Sequence, residues 1–452
     1  MNISIRVLAA ALVTAAVALP AAAQTSPKTT APAQLTAVDS LRQRVDVAAA
    51  AALPKVVELR RYLHQHPELG NREIETAKLL ADRLKALGFE VTTGIAKTGV
   101  VGLLKGGKPG PVVALRSDMD ALPVTEDTGL PFASTTRAQY NGRDVGVMHA
   151  CGHDFHMSML MGAAEVLAGM KADLPGTVKI IYQPAEEGAP NGEEGGAELM
   201  VKEGVLEHPK VDAIFGLHVG ITPLEAGAIS FRPKGIMAAG DTINITVKGR
   251  STHGAMPWAG VDPIVVASQI VLGLQTVISR QSDLTTAPAV LTIGQIEGGN
   301  RSNIVPDEVR MSGTIRTFDT EMQKRIHEAV TRTVEHIAAA SGATASVKFS
   351  GGNPVTYNDP ALTERMTPSL KRVAAGTFNP AAQVTTTAED FSAYQKRIPG
   401  LFFFLGVAQK DTIPASWPAN HSAKFSPDEA ALITGVRALA SLAVDYLAGA
   451  TK

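Results

Sequence analysis

The 452-residue chain is poor in cysteine, with one, and in large aromatics, with two tryptophans and six tyrosines. It has no charge excess, 42 basic side chains standing against 43 acidic ones. A single thiol, Cys151, excludes a disulfide within the chain. A formal charge of −1 offers no basic surplus for phosphate backbones. So few Tyr and Trp side chains build no base-stacking platform, and no nucleic-acid partner is expected. No Walker-type glycine loop and no Gly-x-Ser-x-Gly elbow occurs. Beyond the first two dozen residues, no segment reads as long and apolar enough to span a bilayer. What is present is an ordinary globular composition, 45 % hydrophobic and 19 % charged, which excludes wholesale disorder. The length suggests roughly two to three domains at about 150 residues each.

Residues 1–23 read as a secretory signal peptide: Arg6 supplies the positive start, 7–19 the apolar run, and Ala21-Ala22-Ala23 the cleavage site. The apolar run is about 13 residues, short of the ~20 that cross a membrane. Residues 24–44, opening on a Ser/Thr/Pro/Ala-rich stretch, read as a linker. The mature protein is expected to be exported, periplasmic or secreted. There an idle free thiol invites oxidation, whereas a metal-bound thiol has a reason to be present.

Helical periodicity covers 45–62 and 73–87, the second stopping at Gly88. Short apolar runs at 112–115, 178–182, 211–217 and 401–405 read as buried strands, with helical patterns such as 155–170 between them. Strands alternating with helices predict an α/β fold with a mainly parallel sheet. In such sheets ligands bind beyond the carboxyl ends of the strands. Three of these runs end in chemistry-bearing residues: Ser117-Asp118-Met119-Asp120, Gln183-Pro184-Ala185-Glu186-Glu187-Gly188, and His218. Strand patterns at 242–247, 289–296, 309–317 and 344–349, with helices at 263–279 and 321–340, give the β-α-β-β-α-β order of a ferredoxin-like module. The expected organisation is a discontinuous main domain, 45–236 and 350–452, with that module inserted at 237–349.

The densest cluster is His149-Ala150-Cys151-Gly152-His153-Asp154, just before a helix. Cys-x-His at a helix start places a thiolate and an imidazole within reach of one cation. A buried structural cysteine and a Cys–His nucleophile are the other readings. Glu186-Glu187 lies in a turn where both carboxylates can address one site, one binding metal while the other handles protons. His218 ends a strand, and His421 lies in the loop Trp417-Pro418-Ala419-Asn420-His421; alone, each reads as an ordinary core or loop residue. Asp118 and Asp120 are either ligands or the groups that orient ligand histidines. Most of these residues are predicted at the rim of one sheet, and jointly they favour a metal site. His64 and His66 fall at a helix end, while His208, His327 and His336 read as surface positions.

With these motifs assembled, the chain resembles the metal-dependent amidohydrolase and carboxypeptidase family of hippurate hydrolases, N-acyl-amino-acid amidohydrolases and auxin-amino-acid conjugate hydrolases. The resemblance runs from about Val56 to the C-terminal helix. It is carried by the stretch from Arg61 to Gly70, Arg116-Ser117-Asp118-Met119-Asp120-Ala121-Leu122-Pro123, Met148 through Asp154, Gln183 through Gly188, and Asn303-Ile304-Val305-Pro306-Asp307. It implies metal ligands at Cys151, His153, Glu187, His218 and His421, with Glu186 as general base. The implied cofactor is two divalent ions per subunit, zinc or manganese first and cobalt or nickel also compatible, bridged by the thiolate. It further implies that the inserted module serves as dimerisation and lid domain, so a homodimer or higher homo-oligomer is expected. His253 would stabilise the oxyanion, and Asn303 and Arg316 would meet substrate carboxylate or carbonyl groups. Two stretches depart from the family pattern: Ser251-Thr252 before the lid histidine, and Thr385-Thr386-Thr387-Ala388 before Glu389-Asp390-Phe391. Both bear on specificity rather than chemistry.

The expected activity is hydrolysis of the amide bond in N-acyl or N-aminoacyl amino acids. The alternatives are a dipeptidase or carboxypeptidase on short peptides or amino-acid-conjugated toxins, and a catalytically inactive metal- or peptide-binding protein. Glu186 beside Glu187 argues against the last, because binding alone needs no spare carboxylate.

Overall fold

A computed structural model describes residues 36–409 and 416–449. The signal-like segment 1–23 and the stretch 24–35 lie outside the described residues. The first helix, Ala37–Gln65, begins inside the segment read as linker. Leu41 and Val45 explain the difference: both are buried on its inner face, and packing here overrides the polar look of the neighbouring residues.

The main sheet has eight strands in the spatial order Glu90–Ile95, Gly99–Lys105, Pro175–Gln183, Lys108–Asp118, Ala213–Val219, Gly400–Leu405, Ile229–Ser230 and Phe378–Asn379. The four central strands, from Pro175–Gln183 to Gly400–Leu405, run parallel. They are the four apolar runs seen in the sequence, and Ala213–Val219 and Gly400–Leu405 are buried throughout, as strands covered by helices on both faces must be. The pair Glu90–Ile95 and Gly99–Lys105 adds antiparallel strands at one edge. Helices Ala37–Gln65, His153–Ala168 and Leu432–Ala448 pack together and share the large core.

The second sheet, Ala289–Gly298, Glu308–Thr317, Ala239–Lys248 and Thr344–Ser350 in spatial order, is wholly antiparallel. Helices Pro263–Gln281 and Thr320–Ala340 pack on it around a separate core that includes Ile243, Ile270, Ile315 and Val330. This is the β-α-β-β-α-β order expected of a ferredoxin-like module. The strict alternation of burial along Ala239–Lys248 shows why the pattern was readable: one face meets the helices and the other does not.

One expectation is corrected. Two helices, Pro263–Gln281 and Glu429–Ala448, are long and apolar enough by length and composition to cross a membrane. The second is mostly buried, its apolar residues filling the main core. The first buries Val266, Ile270, Leu274 and Val277 against the antiparallel sheet and leaves Ile264, Val265 and Leu272 exposed, so burial accounts for one apolar face and not for the other.

Candidate metal centre and active site

Because the central strands are parallel, their carboxyl ends share one rim, and adjacent strands there end at Gln183, Asp118 and Val219. Helix His153–Ala168 starts at the same rim. Its preceding residue, Gly152, has φ +89°, and a Cβ there would lie 2.4 Å from Val219 Cγ2. Glycine is what lets Cys151 and His153 approach the strand carrying His218. The loop carrying His421 is tied down by its backbone N–H, which donates to Ala150 O at 2.8 Å. Asn420 Nδ2 donates to Cys151 O at 3.0 Å and Val219 O at 3.1 Å.

These supports bring six predicted residues together. Cys151 Sγ lies 3.3 Å from His218 Nε2 and 3.3 Å from His421 Nε2. His421 Nε2 is 3.0 Å from Glu187 Oε1, and His153 Nε2 is 3.9 Å from Glu186 Oε2. Beside a group of His153, Glu186 and Glu187 stand two triads that use the thiol, Cys151–His153–His218 and Cys151–Glu187–His421, and within each the donor atoms all lie within 4.8 Å of one another. Cys151 belongs to both.

The imidazoles are already oriented. His153 Nδ1 donates to Asp120 O at 2.7 Å, and His218 Nδ1 donates to Val219 O at 2.8 Å, so each turns Nε2 inward. His153 Nε2 is buried without a hydrogen-bond partner. Asp120 also fixes the carboxylate turn, its Oδ2 accepting from Glu187 N at 2.9 Å. Asp118 therefore joins Asp120 among the orienting groups, with Oδ1 accepting from His156 Nδ1 at 2.7 Å.

The electrostatics ask for positive charge. Burial and the carboxylates of Glu187 and Glu186 push the Cys151 thiol well up. Burial, Glu389 and Glu187 do the same to Glu186. Burial opposes charge on His153, yet Asp118 and Asp120 outweigh it and push that imidazole up to about 10. All three groups are driven to hold protons by one excess of acid, and a cation satisfies the same excess. An orphaned inward nitrogen, a shared thiol and a carboxylate–histidine pair fit two divalent ions with mixed soft and hard ligands.

Several contributors were not singled out in the sequence. Arg116, wholly buried, donates from Nη1 to Asp118 Oδ2 at 2.7 Å and from Nη2 to Glu389 Oε1 at 2.9 Å and Asp390 Oδ1 at 2.8 Å. One guanidinium thus faces three carboxylates behind the site. His156 accepts from Val219 N at 3.0 Å through Nε2, coupling Asp118 to the strand of His218. Its position three residues after His153, on one helix face, was the available signal. His64, which the sequence already placed at a helix end as a cap or a supporting contact, is buried between Asp154 Oδ2 at 2.8 Å and Glu126 Oε1 at 3.1 Å.

Three predicted residues lie in the antiparallel module. His253 sits exposed on a two-stranded ribbon, Thr252–His253 with Ile304–Val305, and Asn303 O accepts from Gly254 N at 2.8 Å beside it. Arg316 is on the strand Glu308–Thr317, where Nη1 donates to Ile315 O at 3.1 Å. None of the three has a hydrogen bond or ion pair with the Cys151 cluster among the described residues.

Residues 114–445 match the model of Peptidase family M20/M25/M40. The chain belongs to this family. Among curated relatives, it is 38 % identical over 393 residues to Thermostable carboxypeptidase 1 of Saccharolobus solfataricus, covering 86 % of this chain and 95 % of that one. It is 37 % identical to N-acetyl-L-cysteine deacetylase of Bacillus subtilis, covering 84 % and 85 % of the two chains. A solved Bacillus subtilis structure, the YXEP protein described as a dinuclear metal binding peptidase from the M20 family, aligns with TM-score 0.74 at 35 % identity over 88 % of this chain and 99 % of that one. The present chain is accordingly a metal-dependent M20 hydrolase of linear amide bonds.

Proposed function

We propose that this M20-family chain hydrolyses the amide bond of N-acyl or N-aminoacyl amino acids at a site where Cys151, His153, Glu187, His218 and His421 hold two divalent ions, zinc or manganese foremost. The observation that carries the reading is the sharing of one buried thiol by two donor triads, with Glu186 beside them in a further group with His153 and Glu187. Ions held there supply Lewis acidity toward the scissile carbonyl and lower the pKa of water.

The remaining work belongs to the chain. Glu186 takes the proton of the attacking water at a carboxylate oxygen and delivers it to the leaving amine nitrogen. His153 and His218 are held in fixed tautomers by Asp120 and Val219, so no reorientation accompanies the reaction. His253 is assigned to oxyanion stabilisation, and Asn303 and Arg316 to the substrate carboxylate, which a guanidinium fork suits.

Exposed Ile264, Val265 and Leu272 on helix Pro263–Gln281, with Val290 and Ile296 on the edge strand Ala289–Gly298, give the module an apolar outer surface and support a homodimer. Export rests on residues 1–23. A carboxypeptidase acting on short peptides is the second reading, favoured by the similarity to Thermostable carboxypeptidase 1.

A panel of hippurate-type acyl-amino acids and dipeptides, with each metal in turn, separates the two readings. Turnover of neither class by metal-loaded protein overturns both. Glu186→Gln is expected to lower kcat by about 10²–10⁴-fold with metal content unchanged. Full activity in that variant removes Glu186 from the role of base.

A further inference from the structure

Glu73 is wholly buried and precedes helix Ile74–Ala86 at the position where a carboxylate ordinarily caps. It does not cap. That work is done by Glu68, whose Oε1 and Oε2 accept from Glu75 N at 3.2 Å and Thr76 N at 2.8 Å. The Glu73 carboxylate reaches away from its own helix: Oε1 accepts from Ala185 N at 2.9 Å, and Oε2 accepts from Thr98 Oγ1 at 2.7 Å. A buried carboxylate that abandons its local cap for a distant backbone amide calls for a reason at the far end.

Ala185 supplies the reason. It has φ +51°, in the left-handed region that residues with a Cβ avoid. It immediately precedes Glu186 and Glu187. Continued as an extended strand, the chain would point those two side chains to opposite faces. After the left-handed residue, the chain closes a tight turn, Gly188 N donating to Ala185 O at 3.3 Å, and both carboxylates come to one site. Gly70 packs against the same turn so closely that a Cβ would lie 3.0 Å from Gly188 O and 3.2 Å from Ala185 Cα. Asp120 grips the turn at Glu187 N, and Glu73 grips it at Ala185 N.

We propose that Glu73 is a positioning residue for catalysis: its hydrogen bond to Ala185 N holds the left-handed turn that presents Glu186 and Glu187 to the same centre. The proposal rests on the hydrolase reading above for its kinetic consequence, and on geometry alone for its effect on metal binding.

The test uses the metal-loaded full chain with three substitutions. Glu73→Gln keeps an oxygen for Ala185; Glu73→Met matches the length without an acceptor; Glu73→Asp keeps the charge but falls one methylene short. With folding checked by circular dichroism, kcat on a hippurate-type substrate is expected to fall about 100-fold in the Met variant. KM stays within about threefold, since the loss lies in the reacting groups rather than in binding. The Asp variant loses kcat in the same direction, and the Gln variant stays near wild type. Wild-type kcat in the Asp or Met variant, or a Gln variant as impaired as the Met variant, overturns the proposal.

Cobalt(II) titration of the stripped chains reads the turn without any substrate. The Met variant is expected to weaken one equivalent by about tenfold or more and the Gln variant to leave it unchanged. Equal affinities in wild type, Gln and Met overturn the proposal. An inactive wild type would refute the hydrolase reading while this titration still decides the role of Glu73.

Discussion

Replacing Arg116 by Met removes the one buried cation that Asp118, Glu389 and Asp390 share, at distances of 2.7–2.9 Å. Breaking a buried ion pair by deleting one partner costs about 3–5 kcal/mol, because the charge left behind is uncompensated. Here three carboxylates are left, so the upper end of that range applies at pH above their titration. That is a third or more of a typical domain's stability of about 5–15 kcal/mol. The pH dependence carries the sign. Burial and Glu389 push Asp390 up to about 8 against the opposing pull of Arg116. A raised carboxyl contributes most below its ordinary value, and its contribution is lost as pH rises through about 8. Without Arg116, Asp390 and Glu389 rise further, so protonation at acid pH relieves much of the repulsion. The urea midpoint of the metal-loaded Met variant should therefore lie far below wild type at pH 8.5, and much closer to it at pH 5.5. A midpoint within error of wild type at pH 8.5, or a deficit independent of pH, would refute the account of Arg116 as charge hub.

Two further substitutions probe the supports of the site. His156→Leu leaves Asp118 Oδ1 and Val219 N without their partner and loosens the strand end carrying His218; metal affinity should drop about 10–100-fold, read by competition with a chromophoric chelator. Gly152→Ala places a Cβ 2.4 Å from Val219 Cγ2 at a left-handed φ, so metal content and melting temperature should both fall. Unchanged values in either variant contradict the placement of these residues.

Much of this was legible in the sequence, for a physical reason. Buried parallel strands declare themselves as apolar runs, and parallel direction puts their carboxyl ends on one rim. The placement of Glu187 and His218 then follows from where the runs stop, while Cys151 and His153 come from the start of the helix His153–Ala168. The alternating strands of the inserted module were equally plain. The edge pair Glu90–Ile95 and Gly99–Lys105 was not, since Glu90–Ile95 is largely exposed and lacks a buried face to pattern it. Ile229–Ser230 and Phe378–Asn379 are too short to carry a period. Arg116 stood inside a recognised motif, yet its pairing with Glu389 and Asp390 spans 273 and 274 positions and exists only once the strands assemble. Glu73 was hidden in the same way: it read as the first residue of a helix, and its bond to Ala185 spans 112 positions.

The shared thiol is the claim on which the site depends, and metal stoichiometry of Cys151→Ala tests it most directly. Elemental analysis of reloaded wild type should give two divalent ions per chain, with activity absent after chelation and restored on reloading. Because Cys151 belongs to both triads, the Ala variant should bind both ions weakly and be inactive. Retention of one or both ions at wild-type affinity would contradict it.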